Sequence, residues 1–238
     1  MPPITTALRV TTWNAEWAKP NESRGKRFKD ALVRTNSDII VLTEGSRGLL
    51  PDHGHIAEGG NDWGYPVSDS GRRKVIVWSR HELRDVDTTG HNDLPSGRFV
   101  SATFRVPAGT FRLLGICIPW SGAHVRTGRL DRTLWQDHNE FLVALRQLLA
   151  VDDEPTIVAG DFNQRIPRKR QPVASHELLM EAFRGFSIHT SGVSGNNLID
   201  HVLTRGSFRC GGHGLLTGQD ETGPLSDHTG VSVDLLFR

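Results

Sequence analysis

The 238-residue chain has only two cysteines, Cys117 and Cys210, two methionines and one tyrosine, Tyr65. So few thiols exclude a cysteine-rich zinc site and a multi-disulfide framework. A mechanism that needs a catalytic tyrosine has Tyr65 alone to use. Long apolar runs are missing too: the longest, 113–120, counts Gly115 and Pro119 as apolar and falls far short of the ~20 residues of a membrane-spanning helix. Charge of one sign is also missing. Lys plus Arg number 28 against 27 Asp plus Glu, a formal charge of +1, which excludes a protein that coats nucleic acid through bulk charge. Any phosphate recognition has to be local. The start, Met1-Pro2-Pro3-Ile4-Thr5-Thr6, lacks the charged and apolar stretches of a secretory signal, so the expectation is a cytoplasmic protein with no membrane span.

What is present is an ordinary globular composition. The AVILMFWYC fraction of 37% together with 25 Gly makes about 47% apolar, inside the usual soluble range. Apolar and β-branched runs at 9–13, 39–43, 74–78, 99–106, 111–118, 156–159, 198–204 and 231–237 read as strands. Phe28, Ala31, Leu32 and Thr35 repeat at helical spacing, as do Leu134, His138, Phe141, Leu142, Leu145, Leu148 and Leu149; a third helix is expected near 177–183. Pro107-Ala108-Gly109-Thr110 joins two strands through a turn too short for a crossover, which forces antiparallel pairing and excludes a purely parallel sheet. No linker or repeat divides the chain. The expectation is a single mixed α/β (α+β) domain over 1–238, acting as a monomer, with long Gly-bearing loops at 45–72 and 205–225 as site walls.

The informative feature is where polar residues interrupt strands. Asn14 ends the first run, Glu44 the second, Asp161 and Asn163 follow 156–159 as Gly-Asp-Phe-Asn, and Asp227-His228 precede the last strand. Asp200-His201 interrupts the run at 198–204. If these ends point one way, they form a pocket of carboxylate and amide oxygens with a histidine at its edge, which suits a hard divalent cation. Each piece alone has a plainer reading. Gly-Asp-Phe-Asn makes a good strand-to-loop turn, a lone Glu44 a solvated edge, Asn14 a partner for a loop backbone, and Ser226-Asp227-His228 a strand cap.

Their order along the chain resembles the endonuclease/exonuclease/phosphatase superfamily, which includes pancreatic deoxyribonuclease, the apurinic endonucleases, sphingomyelinases and inositol polyphosphate 5-phosphatases. The blocks that carry the resemblance are Thr12-Trp13-Asn14-Ala15-Glu16, Asp38-Ile39-Ile40-Val41-Leu42-Thr43-Glu44, Gly160-Asp161-Phe162-Asn163, Leu198-Ile199-Asp200-His201-Val202 and Leu225-Ser226-Asp227-His228. The resemblance implies a four-layer αββα sandwich of two mainly antiparallel sheets with the site at one end. It makes Glu44 the principal ligand of a Mg²⁺ or Mn²⁺, with Glu16 and Asp227 as further contacts. Asn14 and Asn163 would hold the phosphate, and Asp161 would orient or deprotonate the attacking water. His228, fixed by Asp200, would contact a non-bridging oxygen or transfer a proton.

One departure stands out. The family often places a His or Tyr just before the proline that ends the central strand, where this chain reads Gly115-Ile116-Cys117-Ile118-Pro119-Trp120. Either His124 reaches in from the following loop or the site works with one donor fewer; Cys117 itself reads as a small buried hydrophobe. The basic segments Arg72-Arg73-Lys74 and Arg165-Ile166-Pro167-Arg168-Lys169-Arg170 are candidates for holding a polyanion, or else solvated loops. Trp63 and Trp120, read as exposed, could stack on bases, although tryptophan is more often a core residue. The expected function is a metal-dependent hydrolase of phosphodiester bonds, foremost a DNA endo- or exonuclease. The alternatives are a phosphatase or phosphodiesterase on a small or lipid-linked phosphoester, and a non-catalytic binding module on the same fold.

Overall fold

The computed structural model describes residues 4–66, 69–90, 93–151, 153–194 and 197–238; the first three residues of the N-terminal stretch read above, and Val67 and Ser68 of the loop 45–72, lie outside them. In chain order the elements are β1 (Thr6–Asn14), α1 (Ser23–Arg34), β2 (Ile39–Gly45), β3 (His55–Glu58), β4 (Arg73–Ser79) and β5 (Arg84–Asp87). There follow β6 (Phe99–Val106), β7 (Gly109–Cys117), α2 (Gln136–Ala150), β8 (Thr156–Asp161), α3 (Val173–Ala182) and β9 (Ser187–Ile188). The chain ends with β10 (Asp200–Arg205), β11 (Phe208–Leu216), the short pair β12 (Gln219–Asp220) and β13 (Gly223–Pro224), and β14 (Gly230–Phe237).

Two six-stranded sheets result, in the orders β11-β14-β1-β2-β4-β3 and β5-β6-β7-β8-β10-β9. Each is antiparallel except at one pairing, β1 with β2 in the first and β7 with β8 in the second. The two strands around Pro107 pair antiparallel up to Val106↔Gly109, as the short turn requires. Side chains alternate across a strand with period two, and the sequence uses that period to build three apolar layers. Leu8, Val10, Val41, Val75 and Val77 face Phe104, Phe111, Leu113, Ile157 and Val202 between the sheets. Ile40, Leu42, Ile76 and Trp78, one step out of phase, pack under Phe28 and Leu32 of α1. Leu114, Ile116, Val158 and Leu203 do the same on the other side, under Phe141 and Leu145 of α2 and Leu179 of α3. The result is the four-layer sandwich. Gly115 lies where the sheets approach closely: a Cβ there would stand 2.9 Å from Val77 and 3.1 Å from Val75.

Two expectations are corrected. The segment 205–225 is not mainly loop, because β11 runs through it as an edge strand on β14. Its sequence, FRCGGHGLL, buries only Phe208 and carries three glycines, so it shows no alternation to read. The loop 45–72 contains the short strand β3, whose first residue is exposed. Among the described residues no helix is long and apolar enough to cross a membrane.

Candidate active site

The inward rows of both sheets turn polar at the same end of the sandwich. In β8 the inner row Ile157, Ala159 continues to Asp161, and the register sets Asp161 beside Cys117 of β7 and beside Asp200 of β10. In β1 the row Leu8, Val10 reaches Asn14, paired with Thr43. Gly160 makes the approach possible: it has φ +146°, and a Cβ there would sit 1.9 Å from the Ile116 carbonyl oxygen, so the glycine in Gly-Asp-Phe-Asn is required by packing rather than only by a turn. Five residues other than glycine with positive φ, Glu16, Trp17, Glu44, Asn163 and Asn197, line the cavity formed here. Only asparagine adopts that conformation at low cost, so this end of the fold holds local strain where side chains must be aimed.

Asp161 is the centre of a hydrogen-bonded cradle. Its Oδ2 accepts from Asn14 Nδ2 and Asn163 Nδ2, both at 3.0 Å, and its Oδ1 accepts the Asn163 backbone N–H at 2.9 Å. Asn14 in turn accepts the Glu16 N–H at 2.8 Å, and its carbonyl accepts the Ser226 hydroxyl at 2.7 Å. That hydroxyl accepts the His228 N–H at 3.1 Å, tying the last block to the first. His228 Nδ1 lies 2.6 Å from Asp200 Oδ2, and its Nε2 is 3.8 Å from Asp227 Oδ1. Asp200 stands behind the ring, fully buried.

Burial pushes Asp161 up to about 7, an effect that His228 opposes and that Asp200 and Glu44 reinforce. Asp200 is also raised, first by burial. At His228 burial favours the neutral ring, but Asp200, Asp161 and Asp227 together outweigh it and raise the imidazole to about 10. With Nδ1 donated to Asp200, His228 is an imidazolium at neutral pH. Two other buried histidines behave oppositely. His138, between the Pro119 carbonyl at 2.8 Å and Gln164 at 2.7 Å, and His201, between Gln164 O at 2.9 Å and Thr190 at 2.7 Å, are both held neutral by burial, near 4. They brace the backbone beyond Asn163 and Asp200 from behind, and no motif in the sequence marks them for that role.

The cavity, of about 560 Å³, brings together Asn14, Glu16, Glu44, Asp161, Asn163, Asp227 and His228. Most of its remaining wall is aromatic and basic, from Trp17, Trp63, Tyr65, Trp120, Arg72 and Lys74, with Pro66, Thr127, Asn197 and Ile199 completing it. Lys74 pairs with Glu44 at 2.5 Å and Arg24 with Glu16 at 2.7 Å. Each cation engages one oxygen of its carboxylate. Together with Asp227, the donor set is all oxygen and partly exposed, which fits a hard divalent cation. Asp161, Asp200 and His228 also cluster closely enough to hold an ion.

Three expectations do not hold. His124 does not reach the site: its Nδ1 pairs with Asp137 at 2.5 Å, its Nε2 faces the Gly64 carbonyl at 3.1 Å, and the ring stacks on Tyr65. Its partner on α2 is thirteen residues away, beyond what local sequence shows. Trp63 is buried, stacked 5.6 Å from Trp17, whereas Trp120 is 48% exposed at the rim. The loop 165–170 does not enter this cavity. Gln171 organises it, accepting the Lys169 and Arg170 N–H groups and donating to the Arg165 carbonyl, while Arg168 donates to the Gln171 carbonyl. Arg165 reaches Asn197 at 3.3 Å and, with Lys169, lines a neighbouring cavity of about 610 Å³ to which the described residues contribute no carboxylate or imidazole. Cys117 is fully buried, its thiol pushed up by burial, and both cysteines are free.

A family model described as the endonuclease/exonuclease/phosphatase family matches residues 11–228. Among curated proteins no sequence matches the chain significantly. Solved structures resemble it at low identity. A 3′ phosphatase, NExo, from Neisseria bound to a product DNA hairpin has 18% identity and TM-score 0.68, covering 95% of this chain and 98% of that one. The human Nocturnin catalytic domain with bound sulfate has 15% identity and TM-score 0.68, over 98% and 94%. D. rerio TDP2 complexed with a single-strand DNA product has 13% identity and TM-score 0.66, over 97% and 99%. At these identities the likeness is one of fold.

Proposed function

Since the chain belongs to the endonuclease/exonuclease/phosphatase family, whose enzymes hydrolyse phosphoester bonds and use divalent metals, we propose that it is a divalent-metal-dependent phosphodiesterase acting on nucleic acid. The observation that carries this reading is the convergence of Asn14, Asp161, Asn163 and the Asp200–His228 pair on one cavity with Glu16, Glu44 and Asp227. That acidic and amide set, complete but for the donor the family often places before Pro119, supports an enzyme over a binding module.

Glu44, with Glu16 and Asp227, would hold a Mg²⁺ or Mn²⁺. When bound, the cation supplies Lewis-acid charge to the phosphate and leaving oxygen. Asp161, as carboxylate, accepts a proton from the attacking water while the water oxygen bonds to phosphorus. The bond from phosphorus to the leaving oxygen breaks with its electron pair, and that oxygen takes a proton from solvent. The Nε2–H of the His228 imidazolium hydrogen-bonds a non-bridging oxygen as charge develops, and Asp200 keeps the ring charged and aimed. Asn14 and Asn163 hold Asp161 in the structure; the Asn14 amide would also hold the phosphate, whereas Asn163 gives its amide hydrogens to Asp161 and the Ile118 carbonyl and would have to release one to do so. The products of a diester are a phosphomonoester and an alcohol.

The DNA products bound by TDP2 and NExo support nucleic acid as substrate. A second reading, hydrolysis of a small or terminal phosphomonoester, is favoured by the cations of the cavity itself: they are Arg72 and Lys74, not the loop 165–170. NExo being a 3′ phosphatase also supports it. The test is hydrolysis with Mg²⁺ and with chelator across plasmid, single-stranded DNA, abasic duplex, RNA, sphingomyelin and inositol phosphates. Chelator-sensitive cleavage of a nucleic acid is the expected result. Turnover of a small phosphoester alone would select the second reading, and metal-independent or absent turnover would overturn both.

A further inference from the structure

Lys74 is the most unusual charge in the molecule. Its position follows from sheet register: β2 and β4 pair Thr43 with Val75 and Gly45 with Arg73, which sets Lys74 opposite Glu44. The residue is 7% exposed, and lysine is almost never so buried without a reason. Its ammonium is paired with Glu44 and lies 4.9 Å from the Trp17 ring centroid and 6.0 Å from that of Trp63. These two aromatic faces stabilise a desolvated cation. It lines the cavity that holds Asp161 and His228. Only one of its three N–H donors is used by a carboxylate. Meanwhile the end of β7 offers only a weak donor, the buried neutral thiol of Cys117, which is directed to Asp161 Oδ2 at 4.0 Å.

We propose that Lys74 is a catalytic residue with two positions. Without metal its ammonium neutralises Glu44; with a divalent cation on Glu44 that role passes to the metal, and the ammonium turns to a non-bridging oxygen of the phosphoester. The inference rests on the phosphoesterase reading and adds a phosphate-binding residue to it. The physical logic is charge balance. A second cation beside a half-buried carboxylate already satisfied by metal is repelled, and the dianion or monoanion of the substrate is the nearest compensating charge. A resident ammonium also competes with metal, so Lys74 opposes metal binding while it assists turnover.

Those two effects have opposite signs in Lys74→Met, which distinguishes this role from simple support of Glu44. Calorimetry should show Mn²⁺ binding at least threefold tighter than in wild type, while turnover at saturating Mn²⁺ falls at least tenfold, the low end for removal of a charge-assisted hydrogen bond. Unchanged turnover would overturn the proposal, and so would weaker Mn²⁺ binding with turnover restored by excess metal. Should that variant not fold, a second comparison decides. In chelator, inorganic phosphate should bind Glu44→Gln at least fivefold more tightly than Asp227→Asn, since both remove one negative charge but only the first frees Lys74. Equal affinities would overturn the proposal. Both binding readouts are independent of turnover, so an inactive wild type would count against the phosphoesterase reading and leave the Lys74 assignment to be judged on affinity.

Discussion

The two halves of the cavity treat carboxylates differently. On one side Asp161 and Asp200 are buried, with His228 as the cation between them, and their protons are held well above the usual carboxylate range. On the other, the side chains of Glu44, Glu16 and Asp227 are 22%, 44% and 61% exposed, and the first two have Lys74 and Arg24 beside them. A buried carboxylate held by hydrogen bonds, as Asp161 is through both oxygens and Asp200 through one, is preorganised but expensive to ionise. A partly exposed one can exchange its counterion. The first arrangement suits proton transfer and orientation of water, the second suits an ion that must enter and leave.

The largest expected effect sharpens that contrast. Asp161→Asn removes the proton acceptor but no metal ligand, so kcat should fall by roughly 10²–10⁴, the usual contribution of a positioned acid or base, with Mg²⁺ affinity within about threefold of wild type. Glu44→Gln should do the reverse in order: calorimetric Mg²⁺ affinity falls first, and part of the activity returns at high Mg²⁺. If both variants lose metal affinity equally, the cavity is one undivided site and the comparison breaks.

A smaller effect tests the buried half alone. Asp200→Asn and His228→Ala should each slow turnover, and their combined loss should be much less than the sum on a log scale, because Asp200 acts through the ring. The same pair predicts a pH signature in the metal-free protein. His228 is raised from 6.5 to about 10, so its contribution to stability is complete below pH 6.5 and is lost as pH rises through 10. Asp161 is raised from 3.8 to about 7, so its ionisation penalty sets in above pH 3.8 and is complete beyond 7. Melting temperature should therefore fall between pH 7 and 10 more steeply in wild type than in His228→Gln. Parallel curves would show that His228 is not held as an imidazolium.

The buried half is the more legible in sequence, for a physical reason. Asn14, Asp161 and Asp200 lie on the inward row of strongly patterned strands, where a polar residue directly after Ala159 or before Val202, or at the end of the row Leu8, Val10, Thr12, is conspicuous. The period-two signal that gives the sheet also gives the site. His124 is misleading in sequence because its partners, Asp137 and Gly64, are set by tertiary folding. Trp17 and Tyr65 carry no mark of a cavity wall, and Trp63 none of burial, since stacking between loops leaves no periodicity. Lys74 is visible only as one letter of a basic segment. Its burial depends on the register between β2 and β4, which a single sequence does not reveal. Edge strand β11 escapes for the opposite reason, having almost nothing to bury.

The smallest expected effect lies outside both halves, on the loop 165–170. Arg168, Lys169 and Arg170 are exposed and fold around Gln171 rather than into the cavity. Their replacement by Ser should leave hydrolysis of a small chromogenic phosphodiester within about twofold of wild type, because that substrate has no flanking phosphates to meet them. On duplex DNA the three side chains can act only at a distance from the scissile bond. Each DNA phosphate deprived of its cation should flatten the salt dependence of binding by up to about 0.9 log units per log salt, similarly for all sequences. Measuring both substrates at two salt concentrations separates the outcomes. A flatter slope on DNA alone extends the cation-bearing side of the cavity along the loop and favours the nucleic-acid substrate. An unchanged slope makes Arg72 and Lys74 the cations that meet substrate and favours the small phosphoester. Equal loss on both substrates would mean that the loop supports Asn163 and the cradle of Asp161 through the backbone, moving it from the exposed side of the comparison to the buried one.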